Sequence, residues 1–168
     1  LSLHDALPIF RKVKGKRREA QLVVVGDGPL REHYYKQANG DPDITFVGAV
    51  LEGRPSYYAH SSIYACPTTK ASFGITLLES MACETPIVCS DILGFQDVVV
   101  NGREALMTRC GDRDALADAL VQLLDDEGLR IQLGTTGRYE SMKYSWPRVT
   151  SQVLDVYHTV RGRVAVSV

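Results

Sequence analysis

I-Y-A-C-P-T-T-K-A-S-F-G-I-T-L-L-E-S-M-A, residues 63–82, decides the fold of this chain. Ile63 to Pro67 reads as a short buried strand, Thr68 to Ser72 as a small-residue turn, and Gly74 to Ala82 as an apolar helix. The junction sets the chemistry. Free amides at a helix N-terminus and the helix macrodipole make an anion site, and Gly74 lets a diphosphate come close to the backbone. Lys70 adds a point charge beside it. Glu79 lies five residues into the helix, about 7 Å along its axis, comparable to the reach from a diphosphate to a ribose diol that a carboxylate can hold. A solvated helix carboxylate gives the same pattern, so the spacing alone leaves both readings open.

The same alternation extends in both directions. Gln21 to Val25 reads as a buried strand that ends in Gly26, Asp27, Gly28 and Pro29, and Leu30 to Ala38 as the helix after it. A strand over Ile44 to Val47 ends at Gly48, and a helix covers Pro55 to Ser61. Downstream, Pro86 to Cys89 and Glu104 to Met107 read as strands. Leu116, Leu120, Leu123 and Leu124 recur at helical spacing behind Asp112, a good N-cap, with Gly128 closing the run. Val149, Val153, Val156 and Val160 draw a second stripe on a last helix, one that can leave an exposed apolar patch. Strands alternating with helices predict an α/β fold, a Rossmann-like parallel sheet with helices on both faces, which binds ligands at the carboxyl ends of its strands.

Leu1 to Phe10 fits neither a helix start nor a strand and resembles translated adapter sequence, so residues 1–10 are expected to be a non-native leader outside the fold, with 11–168 as one domain. The basic run Arg11 to Arg18 reads as a solvated face. The 168 residues, 45% of them hydrophobic, suffice for one core. A net charge of -1 supplies no field toward nucleic acid or an anionic membrane. Cys66, Cys83, Cys89 and Cys110 show no metal-ligand spacing and read as buried thiols in a reduced cytoplasm. No apolar run nears the roughly 20 residues of a membrane span. Gly26, Asp27 and Gly28 lack the third glycine of a dinucleotide loop and read as a turn at the ligand edge. Asp91 reads as a turn cap and Trp146 as a core or domain-contact aromatic.

The chain resembles the family 4 retaining glycosyltransferases of the GT-B fold, specifically their C-terminal donor-binding domain, and most nearly the bacterial phosphatidylinositol mannosyltransferase type. The likeness rests on V-V-G-D-G-P-L from Val24 to Leu30, F-V-G from Phe46 to Gly48, S-F-G-I-T-L-L-E-S-M-A-C from Ser72 to Cys83, T-P-I-V from Thr85 and S-D from Ser90. The resemblance implies that Glu79 holds the nucleotide ribose, that the backbone amides of Ser72, Phe73, Gly74 and Ile75 face the diphosphate, and that Val50, Glu52 and Arg54 border the base. It implies a nucleoside diphosphate sugar, GDP-mannose or a UDP-hexose, as donor substrate, with no cofactor and no metal. Transfer would proceed with retention, and any membrane contact, peripheral at the inner face, would come through the full-length parent.

Three departures qualify that expectation. The family's first glutamate falls on Ala71, which cannot hydrogen-bond a sugar hydroxyl, leaving the catalytic residue unknown. Glu84 stands where the family usually has glycine. The family's opening strand with its basic diphosphate ligands, and its whole N-terminal acceptor domain, are missing. The chain alone is therefore expected to be inactive, and the alternative reading is a non-catalytic nucleotide-sugar-binding module or degenerate paralogue.

Overall fold

The computed structural model describes residues 3–165. Five short strands alternate with helices in the order α1 (Leu3–Lys16), β1 (Leu22–Val25), α2 (Arg31–Ala38), β2 (Ile44–Gly48), α3 (Arg54–Ala59), β3 (Tyr64–Cys66), α4 (Ile75–Ala82), β4 (Ile87–Asp91), α5 (Leu93–Gln96) and β5 (Ala105–Arg109). Three further helices follow: α6 (Arg113–Asp125), α7 (Glu127–Ser141) and, after a 3-10 turn, α8 (Trp146–Ala165). Every ladder is parallel.

β4 shows why the fold needs helices on both faces. Its side chains alternate across the sheet. Ile87 and Cys89 enter one cluster with Leu77, Met81 and Phe95 from α4 and α5. Val88 points the other way, into a cluster with Ile9 and Val13 of α1 and Leu116 and Leu123 of α6. A central parallel strand buried on both faces is the outcome that crossover connections impose.

The single sheet expected from the sequence is split in two. β1 pairs with β2, and β3, β4 and β5 form a second ladder; among the described residues no strand joins β1 to β3. β1 is accordingly half-buried in an alternating pattern instead of buried on both faces, with Val23 and Val25 exposed.

Residues 3–10 do not lie outside the fold. α1 begins at Leu3, and Leu7, Ile9 and Phe10 are buried. Pro8 inside the helix disguises it in the sequence, because an interior proline removes a backbone hydrogen bond. The basic run is not simply solvated either: Lys12 and Arg17 pair with Asp114 and Asp125, and Lys16 reaches Asp118 at 2.6 Å. These are exposed pairs that set the register of α1 on α6 more than they add stability.

Asp112 caps α6 as expected, accepting from the Ala115 amide at 2.9 Å. Gly128 does not end that run: Asp126 caps a new helix by accepting from the Leu129 amide at 2.8 Å, and Gly128 lies in its first turn. Of the thiols, Cys66 and Cys89 are buried and Cys83 partly so, but Cys110 is exposed. Trp146 is exposed and not in the core. The α8 stripe does leave a patch, with Val153, Val156 and Val160 exposed beside Leu154 and Tyr157.

Candidate functional site

The β3 to α4 junction has the geometry the sequence suggests. Gly74 takes φ 82 and ψ 50, a left-handed conformation that glycine adopts without strain, and its carbonyl accepts from the Leu77 amide at 2.9 Å. A Cβ at 74 would meet the Phe95 ring at 2.8 Å, so the turn presses directly on α5. α4 thus opens on a glycine with no side chain to cap it, after the carboxyl end of β3, where the leading amides of a helix lack intrahelical partners.

Beside this turn lies an open cleft of about 790 Å³, lined by Thr69, Lys70, Ala71 and Ser72 from the turn and by Asp91, Gly94 and Gln96 from the end of β4 and α5. Its two walls are locked together. Gly94 packs so closely that a Cβ there would stand 2.0 Å from the Ala71 carbonyl oxygen. Asp91 is not a simple turn cap: it ends β4, and its Oδ1 accepts from the side-chain Nε2 of Gln96 at 2.6 Å. The cleft therefore offers an ammonium, a carboxylate and an amide to a polar ligand. Ala71 offers only a methyl group.

Glu79 is not in that lining. It faces α3, where Oε1 accepts from Arg54 Nη2 at 2.7 Å and Oε2 accepts from the Tyr58 hydroxyl at 3.0 Å. Burial, foremost, and the neighbouring carboxylate raise the Tyr58 pKa, which keeps the phenol protonated and donating. Arg54 and Tyr58 are four residues apart, on one face of α3, and that spacing was the available sequence signal for Tyr58, which motif reading passed over.

The other predicted residues separate from these. Phe73 stacks edge-to-face on Tyr144, ring centroids 5.8 Å apart. Ile75 is exposed at the first position of α4. Gly26 follows β1, donating its amide to the Gly48 carbonyl at 2.8 Å, and Val50 and Glu52 follow β2 in the loop that leads to Arg54. The structure thus unites Lys70, Ala71 and Ser72 in the cleft and Glu79 with Arg54 on α3, and keeps Gly26 on the separate β1–β2 ladder.

Parallel α/β layers with strand ends meeting a glycine-opened helix and a polar cleft define a Rossmann-like domain. Residues 2–126 match the family model described as glycosyl transferases group 1, and the chain belongs to that family. It is 38% identical over 145 residues to the phosphatidyl-myo-inositol mannosyltransferase of Mycobacterium leprae (strain TN), covering 84% of this chain and 38% of that protein. The chain thus spans well under half of that relative.

Solved structures agree on the fold. Anabaena Alr3699/HepE in complex with UDP-glucose superposes with a TM-score of 0.83 at 17% identity, over 94% of this chain and 45% of that one. The C-terminal domain of the glycosyl transferase group 1 family protein LpcC from Francisella tularensis gives 0.70 at 24% identity, over 84% of this chain and 80% of that domain. The fold is the Rossmann-like half of a GT-B glycosyltransferase. No helix among the described residues is long and apolar enough to cross a membrane.

Proposed function

We propose that this chain is the donor-binding half of a hexosyltransferase that uses a nucleoside diphosphate sugar, GDP-mannose or a UDP-hexose, as substrate and transfers the hexose with retention. The observation that carries the reading is Gly74: a left-handed glycine at the head of α4 presents free amides at the strand ends, where a diphosphate is best stabilised. Glu79 then takes the ribose diol, the cleft beside Lys70 and Asp91 takes the sugar, and Val50 and Glu52 border the base.

Catalysis in this scheme is leaving-group stabilisation. Helix-terminal amides and Lys70 absorb the charge that develops on the departing diphosphate. The sugar nucleotide is itself the activated substrate, so no further cofactor is called for. The acceptor, and any contact with a membrane, belong to an N-terminal domain of the longer protein, and the chain alone binds donor without turning it over.

Ala71 favours a second reading, a module that binds nucleotide sugar without transfer, because the turn offers the cleft a methyl where a carboxylate would engage a hydroxyl. Calorimetric titration of the chain with UDP, GDP, UDP-glucose and GDP-mannose tests the donor assignment: saturable binding of one base series, tighter with the sugar attached, is expected. Failure of a folded chain to bind any of the four refutes it. In the full-length protein, Ala71→Glu separates the two readings: a large gain in turnover favours the degraded site, and no gain favours a transferase that works without that carboxylate.

A further inference from the structure

Both oxygens of the Glu79 carboxylate are already engaged, by donors of different character. Arg54 is the first residue of α3 and its side chain is 47% exposed; the ion pair it makes at 2.7 Å is of the surface kind that water and salt weaken. Tyr58 sits one turn further along and is held on several sides. Its ring lies edge-to-face on Tyr64 with centroids 5.2 Å apart, and its backbone carbonyl accepts from Thr85 Oγ1 at 2.7 Å. Thr85 is itself buried, and its carbonyl accepts from the buried Ser80 hydroxyl at 3.0 Å, so Tyr58 is anchored to the C-terminal end of α4, the helix that carries Glu79.

A diol that is to be held by Glu79 needs carboxylate lone pairs that point outward and a carboxylate that does not rotate. The anchored phenol supplies the second requirement and the loose guanidinium obstructs the first. Building on the donor-site reading above, we propose that Tyr58 is a positioning residue that fixes the Glu79 carboxylate for ribose, and that Arg54 is a displaceable counter-ion occupying the ribose position until nucleotide enters. The two neighbours of one carboxylate then have opposite effects on affinity. Losing the Tyr58 hydroxyl frees Glu79 to turn and leaves one oxygen without its donor, whereas losing the Arg54 charge removes a competitor.

The test is calorimetric titration of the chain with UDP, GDP and their 2′-deoxy counterparts, comparing wild type, Tyr58→Phe and Arg54→Gln. Phenylalanine keeps the ring contact with Tyr64, and thermal melts verify that each variant is folded. In Tyr58→Phe, affinity for the ribonucleotide that binds falls on the order of tenfold, the scale of one hydrogen bond to a charged group, while the ribo to 2′-deoxy preference collapses toward unity. In Arg54→Gln, ribonucleotide affinity rises a few-fold. An equal loss for ribo and deoxy ligands in Tyr58→Phe overturns the positioning role, and unchanged or weaker ribonucleotide binding in Arg54→Gln overturns the displaceable role. A folded wild type that binds none of these nucleotides overturns the donor-site reading and this inference with it; retained binding with the wrong variant pattern overturns this inference alone.

Discussion

The backbone carbonyl of Ala71 occupies the space that any side chain at position 94 would need: a Cβ on Gly94 would stand 2.0 Å from that oxygen and 2.8 Å from its carbon. The turn after β3 and the start of α5 are thereby pressed together, joining the two walls of the cleft. Gly94→Ala must push them apart, since backbone atoms have no rotamer with which to yield. We expect it to destabilise the chain by roughly 1–3 kcal/mol, the range for overpacking, and to weaken nucleotide-sugar binding more than Gly28→Ala, where a Cβ meets nothing within 4 Å. Urea unfolding and titration of both variants provide the comparison.

Glu84 takes φ 60, a left-handed conformation that costs a side-chain-bearing residue about 1–2 kcal/mol. Its carbonyl also lies against α7, where a Cβ on Gly134 would be 2.2 Å away. Glu84→Gly relieves the backbone at some cost in unfolded-chain entropy, so a net gain of about 0.5–1 kcal/mol is expected in urea unfolding. A loss of stability would mean that the Glu84 side chain holds the turn.

Cys89 is buried in the core, and burial pushes its thiol up to about 12 from an ordinary 9.0. With the folded pKa raised, the folded state holds the proton that the unfolded chain gives up. The resulting stability is complete below pH 9 and is lost as pH rises toward 12. Unfolding free energy should therefore fall as pH rises from 9.0 toward about 12, more steeply for the wild type than for Cys89→Ala. Cys66 shifts in the same direction through burial and adds to the slope.

Thiol chemistry separates by the same geometry. Cys110 is exposed at the turn after β5, while Cys66 and Cys89 are buried. An aromatic disulfide reagent at pH 8 should label Cys110 first in the folded chain, and Cys110→Ser should remove the fast phase. Rapid labelling that persists in Cys110→Ser would show that the core opens readily.

What could be read from the sequence, and what could not, follows from range. β2, β4, the α4 junction and the Asp112 cap are local patterns, carried by a few adjacent residues whose types name their structure. α7 is hard to read because Gly134 and Gly137 depress helix propensity; Gly134 is there because the Glu84 carbonyl leaves no room for a Cβ, while Gly137 packs tightly on the Met81 side chain. α1 was hidden by Pro8, and its burial depends on α6, a hundred residues away in sequence. In the site, Lys70, Ala71 and Ser72 are contiguous and were found together. Tyr58, 21 residues from Glu79, meets it only because α3 packs on α4.

The account depends most on Glu79 and the glycine-opened helix binding one nucleoside diphosphate between them. Calorimetric titration of the chain and of Glu79→Ala with UDP and GDP measures this directly. One of the two nucleotides should bind the wild-type chain at one site and bind Glu79→Ala at least tenfold more weakly, the loss of two hydrogen bonds to a charged group being worth more than about 1.4 kcal/mol. Equal affinity in wild type and Glu79→Ala, in folded protein, would contradict the account.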